Sequence, residues 1–204
     1  MPGRLAPSVK RLFDAGVAAT LCVITLPLLI VIAVVMKLDS KGPILFVQSR
    51  RGLNGGTFKM FKFRTMYVDV QDDSGVEQTK YDDPRITRFG SFLRRSSLDE
   101  LPQIFNVLRG DMSLVGPRPH ALGTHIGGRA LPEICSQYML RYAMRPGITG
   151  WAQVNGSRGA LAKEQDLISR VDYDMFYLEN ATLTLDVRII VITAMIVFRD
   201  RNTF

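Results

Sequence analysis

The tightest constraint on this chain is a run near its N-terminus, residues 15–36, that contains no charged side chain. At about 1.5 Å of rise per residue, a helix of that length can cross a hydrocarbon core roughly 30 Å thick. A cleaved signal peptide fits poorly, because the apolar run is too long and no small-residue cleavage site stands before the polar chain. Pro27 lies in the middle of the run, where it removes a backbone hydrogen bond and kinks or breaks a helix. Both flanks are basic: Arg4, Lys10 and Arg11 precede the run, and Lys37, Lys41, Arg50 and Arg51 follow it. The positive-inside tendency would keep both flanks in the cytoplasm. A helix–break–helix hairpin that enters and leaves by one leaflet satisfies both observations. An ordinary kinked transmembrane helix is the other reading, and residues alone leave the two open. The buried core helix of a soluble protein is a distant third.

With the membrane segment assigned to residues 1–39, residues 40–204 are long enough for one soluble domain with a sizeable core. A formal charge of +7 calls for an anionic partner: a nucleotide, a nucleic acid or anionic lipid. The two cysteines, Cys22 and Cys135, are too few for a disulfide framework, so a reducing, cytoplasmic setting is expected. His120 and His125 stand without partners at zinc-ligand spacing. A carboxylate-held Mg²⁺ is therefore the better expectation.

The patterning predicts a mostly helical α+β fold with short strands. Strands are expected at 44–48 and 57–66, joined by a glycine-rich turn at 50–56. From Lys41 to Arg64 the chain carries basic residues and no acid, which suits an anion-binding or lipid-facing surface. Residues 67–83 switch to acids and read as a solvated loop; their spacing does not match a calcium-binding loop. Helices are expected at 84–93, 131–142 and 161–180. Residues 145–151 read as a turn leading to a short strand at 151–154. Residues 185–198 are apolar but short for a span, and fit a buried or interfacial helix.

The chemistry concentrates between Arg94 and Pro119. Ser97-Leu98-Asp99-Glu100 fits a capping box, and Asp99 in a first helical turn would suit the helix dipole. The acids could thus be helix-start chemistry alone. Against that, a helix start is itself an anion site, and Arg94 and Arg95 stand just before it. Asp99 at such a start is expected to stay ionised, as a nucleophile or Mg²⁺ ligand must. Gly116-Pro117-Arg118-Pro119 adds one more cation on a backbone stiffened by two prolines. Carboxylates among cations are what attack on phosphorus requires, because the repulsion between nucleophile and diphosphate has to be offset.

Taken together, these motifs resemble the bacterial sugar transferase family, the monotopic phosphoglycosyl transferases that start glycan assembly on a polyprenyl phosphate. The resemblance begins with Lys10-Arg11-Leu12-Phe13-Asp14, Gly42-Pro43-Ile44-Leu45-Phe46-Val47-Gln48 and Lys62-Phe63-Arg64-Thr65-Met66. It continues through Ser97-Leu98-Asp99-Glu100-Leu101-Pro102-Gln103, Asn106-Val107-Leu108-Arg109-Gly110-Asp111-Met112-Ser113 and the Gly-Pro-Arg-Pro turn. It ends with Pro146-Gly147-Ile148-Thr149-Gly150-Trp151-Ala152-Gln153-Val154-Asn155-Gly156, and covers nearly the whole chain in order.

The resemblance implies a monotopic protein with a re-entrant hairpin broken at Pro27, interfacial amphipathic helices and a catalytic domain on the cytoplasmic face of the bacterial inner membrane. It implies a ping-pong transfer of a sugar-1-phosphate from a UDP-hexose to undecaprenyl phosphate. Asp99 would be the nucleophile and Glu100 its partner, either a Mg²⁺ ligand beside Asp99 or a base for the lipid phosphate. Lys62, Arg64, Arg94 and Arg118 match cations that bind phosphate and nucleotide, and Asp174 matches an acid of no assigned role. Membrane lipid is an implied partner, nucleic acid is not, and a homodimer is left open.

Ser157 follows Gly156 where some members carry arginine, which here falls at Arg158. The His120-Ala121 pair resembles members that transfer hexose-1-phosphate, especially glucose. Some relatives carry further N-terminal membrane helices, so the chain is expected to be a minimal form or a catalytic core. The competing reading is a non-catalytic, membrane-anchored module that binds anionic lipid or nucleic acid through the 41–64 run. A structure that set Asp99, Arg118 and Lys62 on separate surfaces would favour it. An integral CDP-alcohol-type phosphotransferase is excluded by too few spans.

Overall fold

The computed structural model describes residues 6–70 and 83–199. Most of the acidic stretch, with the calcium question attached to it, lies outside the described residues, as does the chain after Arg199.

The chain opens with α1 (Pro7–Asp39), a single helical assignment that runs through Pro27. Its most apolar window has a mean hydropathy of 2.8, and it is the one helix among the described residues long and apolar enough to cross a membrane. Its middle is open: Val23, Ile24, Leu26, Leu28, Ile30, Val31 and Val34 are all exposed. Both ends are held. At the N-terminal end the Arg11 guanidinium donates to the Val107 and Leu108 carbonyls, the latter at 2.7 Å. Lys10 Nζ reaches Asp186 at 2.6 Å, and Ser113 Oγ donates to Asp14 at 2.7 Å. These contacts give the Lys10-Arg11…Asp14 motif a structural purpose. At the other end Leu29, Ile32 and Met36 are buried against Phe63 and Leu93.

β1 (Leu45–Arg51) and β2 (Thr57–Phe63) form an antiparallel hairpin, in register from Leu45–Phe63 to Arg51–Thr57. β1 runs three residues beyond the expected 44–48, because the turn is tight: Asn54 and Gly55 both take left-handed backbone angles between the strands. α2 (Arg88–Arg95) begins after Thr87, whose hydroxyl accepts from the Gly90 amide at 2.9 Å; Pro84 sits in the preceding turn rather than in the helix. A helical turn at Leu98–Glu100 leads to α3 (Gln103–Arg109), which ends on left-handed Gly110.

β3 (Ser113–Val115) is followed by the small hairpin β4 (His125–Ile126) and β5 (Arg129–Ala130). The helix expected at 131–142 is divided. α4 (Leu131–Ile134) stops at Cys135, which is extended, and a 3₁₀ segment follows at Ser136–Ala143. β6 (Gly147–Thr149) pairs in parallel with β3. The strand expected at 151–154 is therefore misplaced. The extended segment precedes Gly150, and α5 (Trp151–Val154) is a helical turn. α6 (Glu164–Asn180) and α7 (Leu183–Arg199) complete the chain. α7 buries Ile189 and exposes Val187, Val191 and Met195, as an interfacial helix would.

The principal core joins Ala18 of α1, Ile104 and Val107 of α3, Val115 of β3, Tyr177 of α6 and Ile189 of α7. The α1–α3 packing within it fixes the base of the stretch that carries the carboxylates.

Candidate active site

The expected capping box does not form. Ser97 is left-handed (φ 55°, ψ 16°), and its side chain caps nothing. A non-glycine residue held there costs of order 1 kcal/mol, which the surrounding packing has to hold in place. Its effect is to turn Glu100 away from the Ser97 amide and towards two cations.

Lys62 comes from β2, and its Nζ lies 2.7 Å from Glu100 Oε1 and 3.7 Å from Asp99 Oδ2. Arg118 forks onto Glu100: Nη1 donates to Oε2 at 3.1 Å and Nη2 donates to Oε1. Three segments distant in sequence thus meet around the two acids. Asn106 fastens two of them. It is fully buried, accepts from the Phe61 amide at 2.9 Å and donates to the Lys59 carbonyl at 2.7 Å, which docks α3 against β2. Sequence reasoning gave Asn106 no role; its place inside a matched motif was the available signal.

The third segment is positioned by bare backbone. The Gly116 and Gly147 chains cross so closely that a Cβ on Gly147 would stand 2.1 Å from Gly116 N, and one on Gly116 would stand 2.5 Å from the Arg145 carbonyl. Gly116 N donates to the Thr149 carbonyl at 2.9 Å and Gly147 N to the Pro117 carbonyl at 3.0 Å. That contact explains glycine in both motifs.

The neighbouring acids differ in proton affinity. Burial pushes the Asp99 carboxyl up, Lys62 opposes the rise, and the nearby Glu100 charge adds to it. The helix start is not what governs the Asp99 carboxyl: burial raises its proton affinity, and Lys62, Arg94 and Arg118 oppose the rise. Burial would also raise Glu100, but the Arg118 guanidinium and Lys62 outweigh it and hold that carboxyl well below the usual range.

The predicted cations divide. Lys62 and Arg118 meet the acids. Arg94 donates from Nε to Thr65 Oγ1 at 2.7 Å and lies close enough to Asp99 to favour its charged form. Arg64 stands apart. It is 3 % exposed and donates to the Lys41 carbonyl and, at 3.0 Å, to the Ser40 carbonyl, so it secures the end of α1. The basic run does not form one face either. Arg50 goes to the Pro119 carbonyl, Arg51 to the Gly55 carbonyl, Lys59 to Ser49, Lys62 to Glu100 and Arg64 to the α1 end.

Among the described residues, no group of three or more His, Cys, Asp or Glu is placed to hold a metal ion. Asp99 and Glu100 offer a pair only. Such a pair suits Mg²⁺ as phosphate-transfer sites use it, with one or two carboxylates sharing the ion with substrate phosphates and water.

Comparison with known proteins fits this geometry. Residues 5–200 match the family described as bacterial sugar transferase. The chain belongs to that family. It is similar to an undecaprenyl-phosphate glucose phosphotransferase of Komagataeibacter xylinus, 50% identical over 195 residues, covering 96% of this chain and 37% of that protein. It is similar to a UDP-glucose:undecaprenyl-phosphate glucose-1-phosphate transferase of Xanthomonas campestris pv. campestris, 51% identical over 180 residues, with 87% and 36% covered. An exopolysaccharide production protein, PSS, of Rhizobium leguminosarum bv. phaseoli is 46% identical over 182 residues, with 89% and 91% covered. The chain thus spans little more than a third of the first two of these proteins and most of the third.

Proposed function

We propose that this chain transfers a sugar-1-phosphate from a UDP-hexose, with glucose the first candidate, to undecaprenyl phosphate. The products are undecaprenyl-diphosphate-sugar and UMP. The observation that carries the reading is the meeting of Asp99, Glu100, Lys62 and Arg118 in one place. Those residues on separate surfaces would have favoured the competing module. Relatives named for glucose-1-phosphate transfer supply the substrate class.

In the proposed reaction an Asp99 oxygen attacks the phosphorus that carries the sugar, and the bond from that phosphorus to the UMP oxygen breaks. A phosphosugar–aspartyl ester forms and UMP leaves with the bond's electron pair. An oxygen of undecaprenyl phosphate then attacks the same phosphorus, and Asp99 departs as a carboxylate. Lys62 and Arg118 face the charge that builds on the phosphoryl oxygens. Glu100 holds those two cations in place, and its low proton affinity suits a ligand or anchor better than a base. The lipid phosphate needs little help from a base, because a phosphate monoester loses its second proton at about pH 6. Mg²⁺ shared by Asp99 and Glu100 with the diphosphate would offset charge there.

The membrane arrangement proposed is a re-entrant hairpin turned at Pro27, with the remainder on the cytoplasmic face of the inner membrane. In its support, both ends of α1 pack on one domain. Leu101 touches the cluster around Ala18 and also the cluster around Ile32, while the middle of α1 stays apolar and exposed. That arrangement would bring Asp99 near the leaflet surface, where a lipid phosphate could reach it. The test is UMP release over a panel of UDP-sugars with undecaprenyl phosphate. Mg²⁺-dependent release with one or few sugars is expected. Absence of release with every sugar would overturn the reading.

A further inference from the structure

We infer that Arg141, held by Asp174, is a positioning residue for the phosphate site: its grip on the Arg118 carbonyl sets where the Arg118 guanidinium lies. The inference rests on the function proposed above and assigns roles to two residues outside that mechanism.

It follows from how the 116–119 loop is anchored. Pairing between β3 and β6 runs from Ser113–Gly147 to Val115–Thr149, and beyond it the Pro117 carbonyl accepts from Gly147 N. Pro117 and Pro119 have no backbone N–H to offer, so the loop beyond the ladder needs side chains to hold it. Its next two carbonyls are taken by buried guanidiniums. Arg141 Nη2 donates to the Arg118 carbonyl at 2.8 Å, and Arg50 Nη1 donates to the Pro119 carbonyl at 3.1 Å.

Arg141 is fixed from behind. Its Nε donates to Asp174 Oδ2 at 2.6 Å, with both side chains almost wholly buried, and its guanidinium lies over the Tyr138 ring at 5.1 Å. His120, two residues past Arg118, is clasped by the same cluster: its Nδ1 lies 3.0 Å from Tyr138 Oη and 3.3 Å from Arg141 Nη1. At 2 % exposure Arg141 is too enclosed to reach a substrate. The Arg118 side chain is 31% exposed, so the anchored residue is the one open to a ligand. The chain of contacts runs from Asp174 through Arg141 and the Arg118 carbonyl to the Arg118 guanidinium on Glu100.

The experiment uses the full chain in lipid nanodiscs. The pair is removed together as Arg141→Met/Asp174→Asn, so that neither member of the ion pair is left without the other, beside Arg118→Ala and the triple variant. UMP release from UDP-glucose gives kcat/KM. The pair variant is expected to lose about 10-fold, and the triple variant to be no worse than Arg118→Ala, because positioning has no value once its object is gone. Losses that multiply, or full activity in the pair variant, would overturn the inference.

Phenylglyoxal modification of Arg118, mapped by mass spectrometry, reads position without turnover. The rate at Arg118 should rise several-fold in the pair variant, as in Glu100→Gln, and an unchanged rate contradicts the inference. If the wild-type chain turns over no UDP-sugar, the proposed function fails and the modification rate still decides the positioning role. Arg141→Lys keeps the buried pair charged but offers one ammonium in place of a fork. It should fold, with intermediate loss and intermediate modification, should the pair variant melt early.

Discussion

Two sets of cations meet at residues 116–119, and the same residue types do different work in them. In front, Lys62 and Arg118 pair with Glu100, and their side chains are 18% and 31% exposed. Behind, Arg50, Arg141 and Arg170 face backbone carbonyls, His120 and Asp174. The rear layer is under electrostatic load: burial and the neighbouring Arg118 pull Arg50 down to about 10, and burial with Arg118 and Arg141 does the same to Arg170. Front cations can pass from a carboxylate to a phosphate because both partners are anionic, so the exchange leaves neither cation without an opposite charge. Rear cations cannot move without leaving a buried charge unpaired. The contrast separates groups that bind from groups that hold the binders.

The largest effect tests the front layer at its centre. Asp99→Asn should lower UMP release by at least about 10⁴-fold, since a carboxamide is no nucleophile for phosphorus. Near-normal turnover would remove the covalent mechanism. The next effect belongs to the rear. Asp174→Ala leaves Arg141 buried and unpaired, and should cost about 3–5 kcal/mol of stability. Lys62→Ala leaves Glu100 its Arg118 partner, and should cost clearly less on the same denaturant or thermal scale. Equal losses would erase the distinction between layers. Third, Arg118→Ala should reduce kcat/KM about 100-fold, as loss of one donor to a developing oxyanion does, with a smaller loss of stability than Asp174→Ala.

The smallest effect is on pH. Activity needs Asp99 ionised, and burial raises its pKa, so activity should fall on acidification at a pH above that of an ordinary aspartate. Lys62 lowers that pKa, so Lys62→Ala should move the acid limb further up. A downward move would show that another group sets the limb.

How much of this was legible in the sequence varied with the kind of contact. The apolar run at 15–36, the β1–β2 hairpin and the approximate places of α6 and α7 follow from local periodicity and turn residues, which the chain writes directly. Asp99, Glu100, Arg94 and Arg118 stood out as carboxylates and cations in one stretch, and Lys62 was joined to them because its motif resembles a family. Ser97 was misread, since Ser-x-x-Glu signals a capping box and nothing local reveals the left-handed turn that redirects Glu100. The strand and helix around Gly150 were exchanged because the glycine crossing with residue 116 is a contact between segments far apart in sequence. Arg64 was grouped with Lys62 through the resemblance, yet β2 ends at Phe63, so Arg64 has left the strand and turns to the end of α1 while Lys62 meets Glu100. Arg141 carries no local signal: it gains meaning only when α6 brings Asp174 against it.

The central claim is that Asp99 becomes covalently bonded to the sugar phosphate. Intact-mass analysis of the chain incubated with UDP-glucose and Mg²⁺, without undecaprenyl phosphate, tests it directly. The account predicts an added hexose phosphate that maps to the peptide containing Asp99, is absent in Asp99→Asn and disappears when undecaprenyl phosphate is supplied. UMP release that requires the lipid acceptor from the start, with no adduct on the protein, would contradict it.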